Sequence, residues 1–171
     1  MPLTPTHAPF IIRPVRSTDA TAIAGIYNEY VTRTTISFET EAVHTDEMRR
    51  RIEALVPNFP YLVAESKGHI VGYCYAHPWK NRAAYIHTLE TTIYLAPGHR
   101  GCGLGRLLMD SLTDKCRQRG VHALIACITA DNTASIAFHE RLGFRRVSLF
   151  REVGYKFGRW LDVADLELLL D

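Results

Sequence analysis

The sequence predicts an α+β fold of three layers, in which helices flank a mixed and mostly antiparallel sheet. Short strand-like segments in the first half are joined by turn signals, which favours antiparallel neighbours. A nearly continuous apolar run over 121–129 is typical of a strand covered on both faces, as in parallel pairing. A helical segment separates that run from a strand-like segment over 84–95. This β–α–β crossover makes the two strands parallel.

The first half of the chain is predicted to form a strand, two helices and a hairpin. Residues 10–15 form the strand, and the hairpin joins strands 61–65 and 70–77 through Ser66-Lys67-Gly68. Ser17 or Thr18 caps the first helix and Thr45 caps the second. The apolar faces of these helices are Ile23, Ile26, Tyr27, Tyr30 and Val31, and then Met48, Ile52, Leu55 and Val56.

The second half continues from the strand over 84–95 into a helix that begins near Leu104 and ends at Gly120. After the apolar run, Asn132 caps a short helix that ends at Gly143. Two last strands are predicted over 144–153 and 160–170. Residues 10–171 therefore form a single domain, and residues 1–9 are predicted to be a disordered tail.

Composition and charge exclude several classes of function. The net charge of +2 and the dispersed basic residues indicate neither nucleic acid nor an anionic membrane as partner. No apolar run approaches the ~20 residues that span a bilayer, and the N-terminus lacks the pattern of a signal peptide. The four cysteines form no CxxC pair, and the histidines show no metal-ligand spacing. A reduced, cytoplasmic protein without a metal site is expected.

A glycine-rich loop, Arg100-Gly101-Cys102-Gly103-Leu104-Gly105-Arg106, opens the third predicted helix. Alternating glycines let a ligand approach the backbone, and the amides of a helix N-terminus attract phosphate. A dinucleotide site of the Rossmann type is one alternative. However, that site expects G-x-G-x-x-G in an early β–α–β unit, whereas this loop reads G-x-G-x-G and follows a long antiparallel lead-in.

Two motifs in this order resemble the GCN5-related N-acetyltransferase (GNAT) superfamily. The glycine loop matches its R-x-x-G-x-G/A pyrophosphate motif, and Asn132-x-x-Ser135-Ile136-x-x-His139-Glu140-x-x-Gly143-Phe144 matches its second motif. Further segments resemble the phosphinothricin and methionine-sulfoximine acetyltransferase group. They are 27–30, 36–40, 79–82, 90–94 and 156–162. The resemblance extends from Ile12 to Leu170.

The resemblance implies acetyl-CoA as the cofactor. It implies that the pantetheine arm pairs with Ile93, Tyr94 and Leu95 like an added strand. Near the reacting end, Asn132 would contact this arm, and Ser135 is a further predicted cofactor-binding residue. The pyrophosphate would lie on the loop, that is, on Arg100, Gly101, Cys102, Gly103, Leu104, Gly105 and Arg106.

Glu90 is the predicted catalytic base, because a glutamate in the middle of an apolar strand is unusual and partial burial would raise its pKa towards neutrality. The family resemblance places the proposed base at the same residue. His139 has two interpretations: an imidazole that protonates the leaving thiolate or relays the amine proton, or a helix residue packed near Ser135 and Phe144. No cysteine is placed as an obvious nucleophile, so direct transfer in a ternary complex is expected.

The acceptor is expected to be an amine of amino-acid type, such as phosphinothricin, methionine sulfoximine or methionine sulfone. The guanidinium of Arg82 suits a carboxylate. Alternatives are a polyamine, an aminoglycoside or a protein N-terminus as acceptor, or a catalytically silent CoA-binding sensor. The resemblance also implies a homodimer. The predicted acceptor-binding residues are Phe38, Glu39, Lys80, Asn81, Arg82, Thr91 and Thr92.

Overall fold

One seven-stranded sheet organises the chain in the computed structural model, which describes residues 10–170. The tail predicted over residues 1–9 lies outside the described residues. The sheet order is β1-β2-β3-β4-β5-β7-β6, and every neighbouring pair is antiparallel except β4 and β5. The strands are β1 (Ile11–Pro14), β2 (Tyr61–Ser66), β3 (His69–Pro78), β4 (Thr88–Leu95), β5 (Ala123–Thr129), β6 (Arg145–Lys156) and β7 (Arg159–Leu169). This architecture confirms the predicted fold class.

Four α-helices cover the two faces of the sheet. They are α1 (Ala20–Arg33), α2 (Thr45–Leu55), α3 (Leu104–Gln118) and α4 (Thr133–Arg141). Helices α1 and α2 enclose one core with Val63 and Tyr73, whereas α3 and α4 enclose the other with Leu124 and Leu166. No helix within residues 10–170 is long and apolar enough to cross a membrane.

Of the three helix N-caps predicted from the sequence, the structure confirms one. The Oδ1 atom of Asn132 accepts a hydrogen bond from the Ser135 amide at 3.2 Å, as predicted. The caps predicted at Ser17 or Thr18 and at Thr45 are wrong. A short 3₁₀ turn over Ser17–Asp19 comes first, so α1 begins after Asp19, whose carboxylate instead accepts from the Arg16 amide and from Arg13. Thr45 is already helical.

Two-residue turns set the registers of both hairpins. Lys67 and Gly68 have φ angles of 50° and 80°, and Phe157 and Gly158 have 50° and 74°. Positive φ at both turn residues matches the twist of the flanking strands, as in a type I′ turn. The hairpin predicted at Ser66-Lys67-Gly68 is confirmed. The second turn lets β6 continue to Lys156, beyond its predicted end.

The strand predicted over 84–95 begins later than expected. Residues Ala83–Tyr85 form a 3₁₀ turn in which the Tyr85 amide donates to the Arg82 carbonyl at 3.0 Å, and β4 starts only at Thr88. His87 therefore precedes the strand. Apolar composition does not distinguish a turn from a strand end over so few residues.

The parallel pair β4–β5 is short, and this positions the site. Pairing joins Thr88–Glu90 to Ala123–Ile125 and stops there, although both strands continue. Beyond Glu90, β4 keeps its pairing with β3 only, while β5 keeps its pairing with β7. The two central strands therefore separate after Glu90, and the edge of β4 over residues 91–95 faces the gap.

Candidate active site

A groove of about 460 Å³ lies along the free edge of β4 and continues to the start of α3 and to α4. Tyr30 and Tyr94 line it from the α1 side of the sheet, and Ile93, Leu95 and Phe138 line it from the side of α3 and α4. Its remaining lining residues are Ile36, Arg100, Gly101, Gly103, Gly105, Arg106, Asn132, Ala134, Ser135, Arg141 and Leu142. Residues from both faces of the sheet therefore line the groove beside the free edge of β4.

The glycine loop forms one end of this groove. Gly101 and Gly103 have φ angles of 74° and 85°, and a Cβ atom built at either position would meet open space. Gly103 directly precedes α3, so the unpaired amides of the first helical turn lie beside that space. Arg106 lines the groove, and the Arg100 guanidinium lies 5.2 Å from the centroid of the Tyr30 ring. Amides, a helix dipole and two guanidinium groups fit a pyrophosphate here.

Two residues of the predicted loop point away from the groove. Leu104 is fully buried in the core beneath α3, and the Cys102 Sγ atom donates to the His99 carbonyl at 3.1 Å. These residues offer the groove their backbone and not their side chains. The other ten residues predicted for the cofactor all line the groove. They are Ile93, Tyr94, Leu95, Arg100, Gly101, Gly103, Gly105, Arg106, Asn132 and Ser135.

Six lining residues were absent from the sequence-based prediction: Tyr30, Ile36, Ala134, Phe138, Arg141 and Leu142. The last four share one face of α4 with Ser135, and their helical spacing was a usable signal. Tyr30 left no such signal. Its hydroxyl donates to the Leu95 carbonyl at 2.5 Å, which ties the end of β4 to α1.

Glu90 is the last residue of β4 that pairs with β5, so its side chain lies where the strands separate. Three titratable side chains surround it: His77 on β3, Cys127 on β5 and Asp165 on β7. Burial raises the pKa of Glu90, the facing His77 lowers it, and the charge of Asp165 raises it further, with a net upward direction. A carboxylate with a raised pKa suits proton transfer near neutral pH.

Cys127 is exposed in this gap but is a poor nucleophile. Partial desolvation by the neighbouring strands and the charges of Glu90 and Asp165 raise the pKa of its thiol to about 12. The thiol is therefore protonated at neutral pH, and a protonated thiol attacks poorly.

His139 lies behind the groove, with its ring edge-on to Phe138 and Phe144 at centroid distances of 5.2 Å. Its Nδ1 atom lies 2.8 Å from the Ser135 carbonyl and 3.4 Å from the Ser135 hydroxyl. A carbonyl only accepts, so Nδ1 carries the proton. Burial lowers the pKa of His139, which favours the neutral ring.

The residues predicted for the acceptor separate into two groups. In the loop between α1 and α2, Phe38 packs on Gly154 so closely that a Cβ atom there would overlap its ring. Glu39 is held by Arg51, with 2.6 Å between Oε1 and Nη1. This loop is tied to the β6–β7 hairpin, because the buried ammonium of Lys156 donates to the Ser37 carbonyl at 2.7 Å.

The second group lies on β4 and on the loop before it. Asn81 and Arg82 are exposed, and the Lys80 ammonium lies 4.0 Å from the centroid of the Trp79 ring. Thr92 faces Tyr75 across the β3–β4 pair and shares a face with Glu90. Thr91 points to the opposite face, where its hydroxyl donates to the Ile125 carbonyl at 3.4 Å. Of the two threonines, Thr92 therefore has its side chain on the same face as Glu90.

A model of the acetyltransferase (GNAT) domain matches residues 12–164. The chain belongs to the GNAT acetyltransferase family. This confirms the predicted enzyme class, an acyltransferase that uses acetyl-CoA. Within residues 10–170, no group of three or more His, Cys, Asp or Glu side chains could hold a metal ion.

Individual relatives are similar over nearly their whole length. The chain is 37% identical to a phosphinothricin N-acetyltransferase of Streptomyces viridochromogenes, over 95% of this GNAT protein and 88% of the relative. It is 38% identical to an L-methionine sulfoximine/L-methionine sulfone acetyltransferase of Salmonella typhimurium, over 94% of each chain. A Salmonella typhimurium acetyltransferase solved with its cofactor acetyl-CoA superimposes with a TM-score of 0.92, at 37% identity and 95% coverage of both chains.

Proposed function

We propose that this GNAT enzyme transfers the acetyl group of acetyl-CoA to the α-amine of a small amino-acid-like acceptor of the phosphinothricin, methionine sulfoximine or methionine sulfone type. The observation that carries the proposal is the position of Glu90, half-buried where β4 and β5 separate and three residues before Ile93, the first residue of β4 that lines the groove. The names of the two relatives support the acceptor class.

The groove residues bind and orient the cofactor. The amides at the start of α3, with Arg100 and Arg106, hold the pyrophosphate, while the free edge of β4 over 91–95 pairs with the pantetheine arm. Acetyl-CoA supplies the activated acetyl thioester. A backbone N–H on the same edge of β4 is placed to stabilise the thioester oxygen as it gains negative charge.

Glu90 removes a proton from the acceptor ammonium, directly or through one water, and so frees the lone pair that attacks the thioester carbon. Transfer is direct, because the thiol of Cys127 remains protonated beside Glu90. His139 acts as a positioning residue: its bond to Ser135 fixes one turn of α4 against the groove. Its buried, neutral ring is unsuited to protonating the leaving thiolate.

The test is release of free thiol from acetyl-CoA against phosphinothricin, methionine sulfoximine, methionine sulfone, a polyamine and an aminoglycoside. We expect turnover with the three amino-acid-type amines. Glu90→Gln lowers kcat by roughly a hundredfold or more, while acetyl-CoA affinity stays unchanged. Turnover on the polyamine alone would overturn the acceptor class; the acidic side chain of Asp165 beside Glu90 is the feature that favours such a cation. Binding without any turnover would indicate a CoA sensor.

We further propose that the enzyme is a homodimer formed through β6. This edge strand and its hairpin expose seven large apolar side chains: Val147, Leu149, Phe150, Val153, Tyr155, Phe157 and Trp160. Exposed apolar side chains concentrated on one sheet edge favour a protein interface.

A cytoplasmic location is also proposed, because all four cysteines are free thiols and two of them, Cys74 and Cys116, are buried in the core. Cell fractionation with an antibody against the chain tests this. Recovery of the protein from an oxidising compartment would contradict it.

A further inference from the structure

His77 is a histidine beside Glu90 to which the proposed mechanism gives no role. The two residues lie directly opposite each other in the antiparallel β3–β4 pair, with 3.8 Å between His77 Nε2 and Glu90 Oε1. Directly opposed side chains on one face are the closest neighbours that a sheet provides. The side chains of His77 and Glu90 are exposed to 29% and 27%, so solvent reaches both.

The hydrogen bond on the other ring nitrogen fixes the orientation of the proton. His77 Nδ1 lies 3.0 Å from the Pro78 carbonyl. Because a carbonyl oxygen only accepts, the Nδ1–H donates to it and the neutral ring keeps a lone pair on Nε2. That lone pair lies 3.8 Å from the Glu90 carboxyl group, which is longer than a hydrogen bond and matches a pair that one water bridges.

We propose that His77 takes the proton from Glu90 and returns it to solvent. The proposal rests on the role of Glu90 as the base. In the first step an N–H bond of the acceptor ammonium breaks and an O–H bond forms on Glu90. In the second step that O–H bond breaks, one bridging water takes this proton and gives up another, and an N–H bond forms on His77 Nε2. The imidazolium then loses this proton to water, so that Glu90 is again a carboxylate.

The other groups that face Glu90 do not offer this route. The thiol of Cys127, with a pKa of about 12, already holds its proton at neutral pH. Asp165, across the gap on β7, contributes a negative charge that keeps a proton on Glu90 instead of drawing it away. On β3, the next side chain on the same face is Tyr75, whose ring centroid lies 5.9 Å from that of His77 and whose own pKa is raised by burial. Among these groups, His77 is the one whose lone pair lies opposite Glu90 in the strand register.

A purely electrostatic role is the alternative, in which a cationic His77 only lowers the pKa of Glu90. Three variants distinguish the roles. His77→Ala removes both charge and proton transfer, His77→Lys restores a positive charge that does not accept a further proton, and Glu90→Gln removes the base. His87→Ala is the matched control, because His87 also binds a carbonyl through Nδ1, at 3.1 Å from Gly120, but precedes β4.

The measurement is kcat/KM for L-methionine sulfone across pH, with and without added imidazole. We expect kcat/KM of the His77→Ala variant to be roughly tenfold to a hundredfold lower than that of the wild type near neutral pH. Its acid limb moves to higher pH, since loss of the facing charge raises the pKa of Glu90. Added imidazole raises kcat/KM of His77→Ala but leaves kcat/KM of Glu90→Gln and of the wild type unchanged. The His87→Ala variant behaves as the wild type.

Two results would overturn the inference. Full activity of His77→Lys would show that charge alone suffices, and an unchanged His77→Ala would show that no relay passes through this ring. Acetyl-CoA affinity, measured in parallel, identifies any variant that fails to fold. Absence of turnover by the wild type on all three amino-acid-type amines would instead refute the proposed function, so the two failures are distinct.

Discussion

At the residue scale, the chemistry of this site depends on which charges the strand registers bring to Glu90. Burial disfavours the carboxylate, and the antiparallel register with β3 places an imidazole against it that favours the carboxylate. Asp165, from the far side of the gap, again favours the protonated acid. The balance leaves a carboxyl group with a raised pKa, which gains a proton from an ammonium more readily than an ordinary surface glutamate does.

Direct transfer makes a prediction about Cys127. Cys127→Ala keeps kcat within about threefold of wild type, because a thiol with a pKa of about 12 contributes no nucleophile. Intact-mass spectrometry of the wild-type enzyme incubated with acetyl-CoA, without acceptor, detects no covalent acetyl adduct. A large loss of activity, together with an adduct that Cys127→Ala lacks, would instead establish an acyl-enzyme.

The sequence predicted those site residues that have a local signal. Glu90 was detectable as a charge inside an apolar strand, and Asn132 as a helix cap before a short amphipathic segment. His77, by contrast, has no local signal in the sequence. Its importance depends on the β3–β4 register, and Asp165 enters only because β7 pairs with β5. Such pairings between distant segments leave no spacing pattern in the chain.

At the element scale, the start of α3 is built for close approach of a ligand. Gly103 adopts φ +85° directly before the first helical turn, a backbone that residues with a Cβ atom rarely adopt. The same glycine lines the groove. A side chain here therefore has two costs, a strained backbone and a partly filled phosphate site.

A substitution at the hairpin glycine Gly68 strains the backbone in the same way but does not reach the phosphate site, so it is the matched control. Gly68 has φ +80°, and a Cβ atom there also meets open space, but it lies in the β2–β3 turn and does not line the groove. We expect Gly103→Ala and Gly68→Ala each to lose about 1 kcal/mol of unfolding free energy, measured by denaturant titration. Only Gly103→Ala should weaken acetyl-CoA binding, by roughly tenfold in calorimetry. Equal affinities in the two variants would remove this loop from the cofactor site.

The elements themselves were more predictable than their ends. The hairpin at Lys67–Gly68 and the strand over residues 121–129 follow from turn chemistry and from burial on both faces. The predicted start of β4 was wrong because residues 83–85 form a hydrogen-bonded turn that composition does not reveal. The early caps were wrong for a related reason. Asp19 binds Arg13 on β1 as well as the Arg16 amide, and this contact between separate segments decides where α1 begins.

At the scale of the whole molecule, the sheet is covered unevenly. Helices α1 and α2 pack on β2, β3 and β4, whereas the same face of β6 carries exposed residues. Phe150 pairs with Val163 and Ser148 with Asp165, so the uncovered area lies on the same face as the acidic side of the gap. A second copy seated there would cover apolar surface and also exclude water from the acceptor site.

Phe150 is the position at which this arrangement can be tested. Its side chain is 50% exposed, and Phe150→Asp would place a charge inside the proposed interface. We expect the dimer dissociation constant to rise by about thirtyfold or more in sedimentation equilibrium, the effect of losing an aromatic hot spot. Because the acceptor site would open to water, kcat/KM for methionine sulfone should fall in parallel as the enzyme is diluted. Ile11→Asp is the matched control: Ile11 is 59% exposed on β1, at the opposite edge of the sheet. A Phe150→Asp variant that stays dimeric would place the subunit contact elsewhere, and a monomeric variant with full activity would show that each subunit completes its own acceptor site.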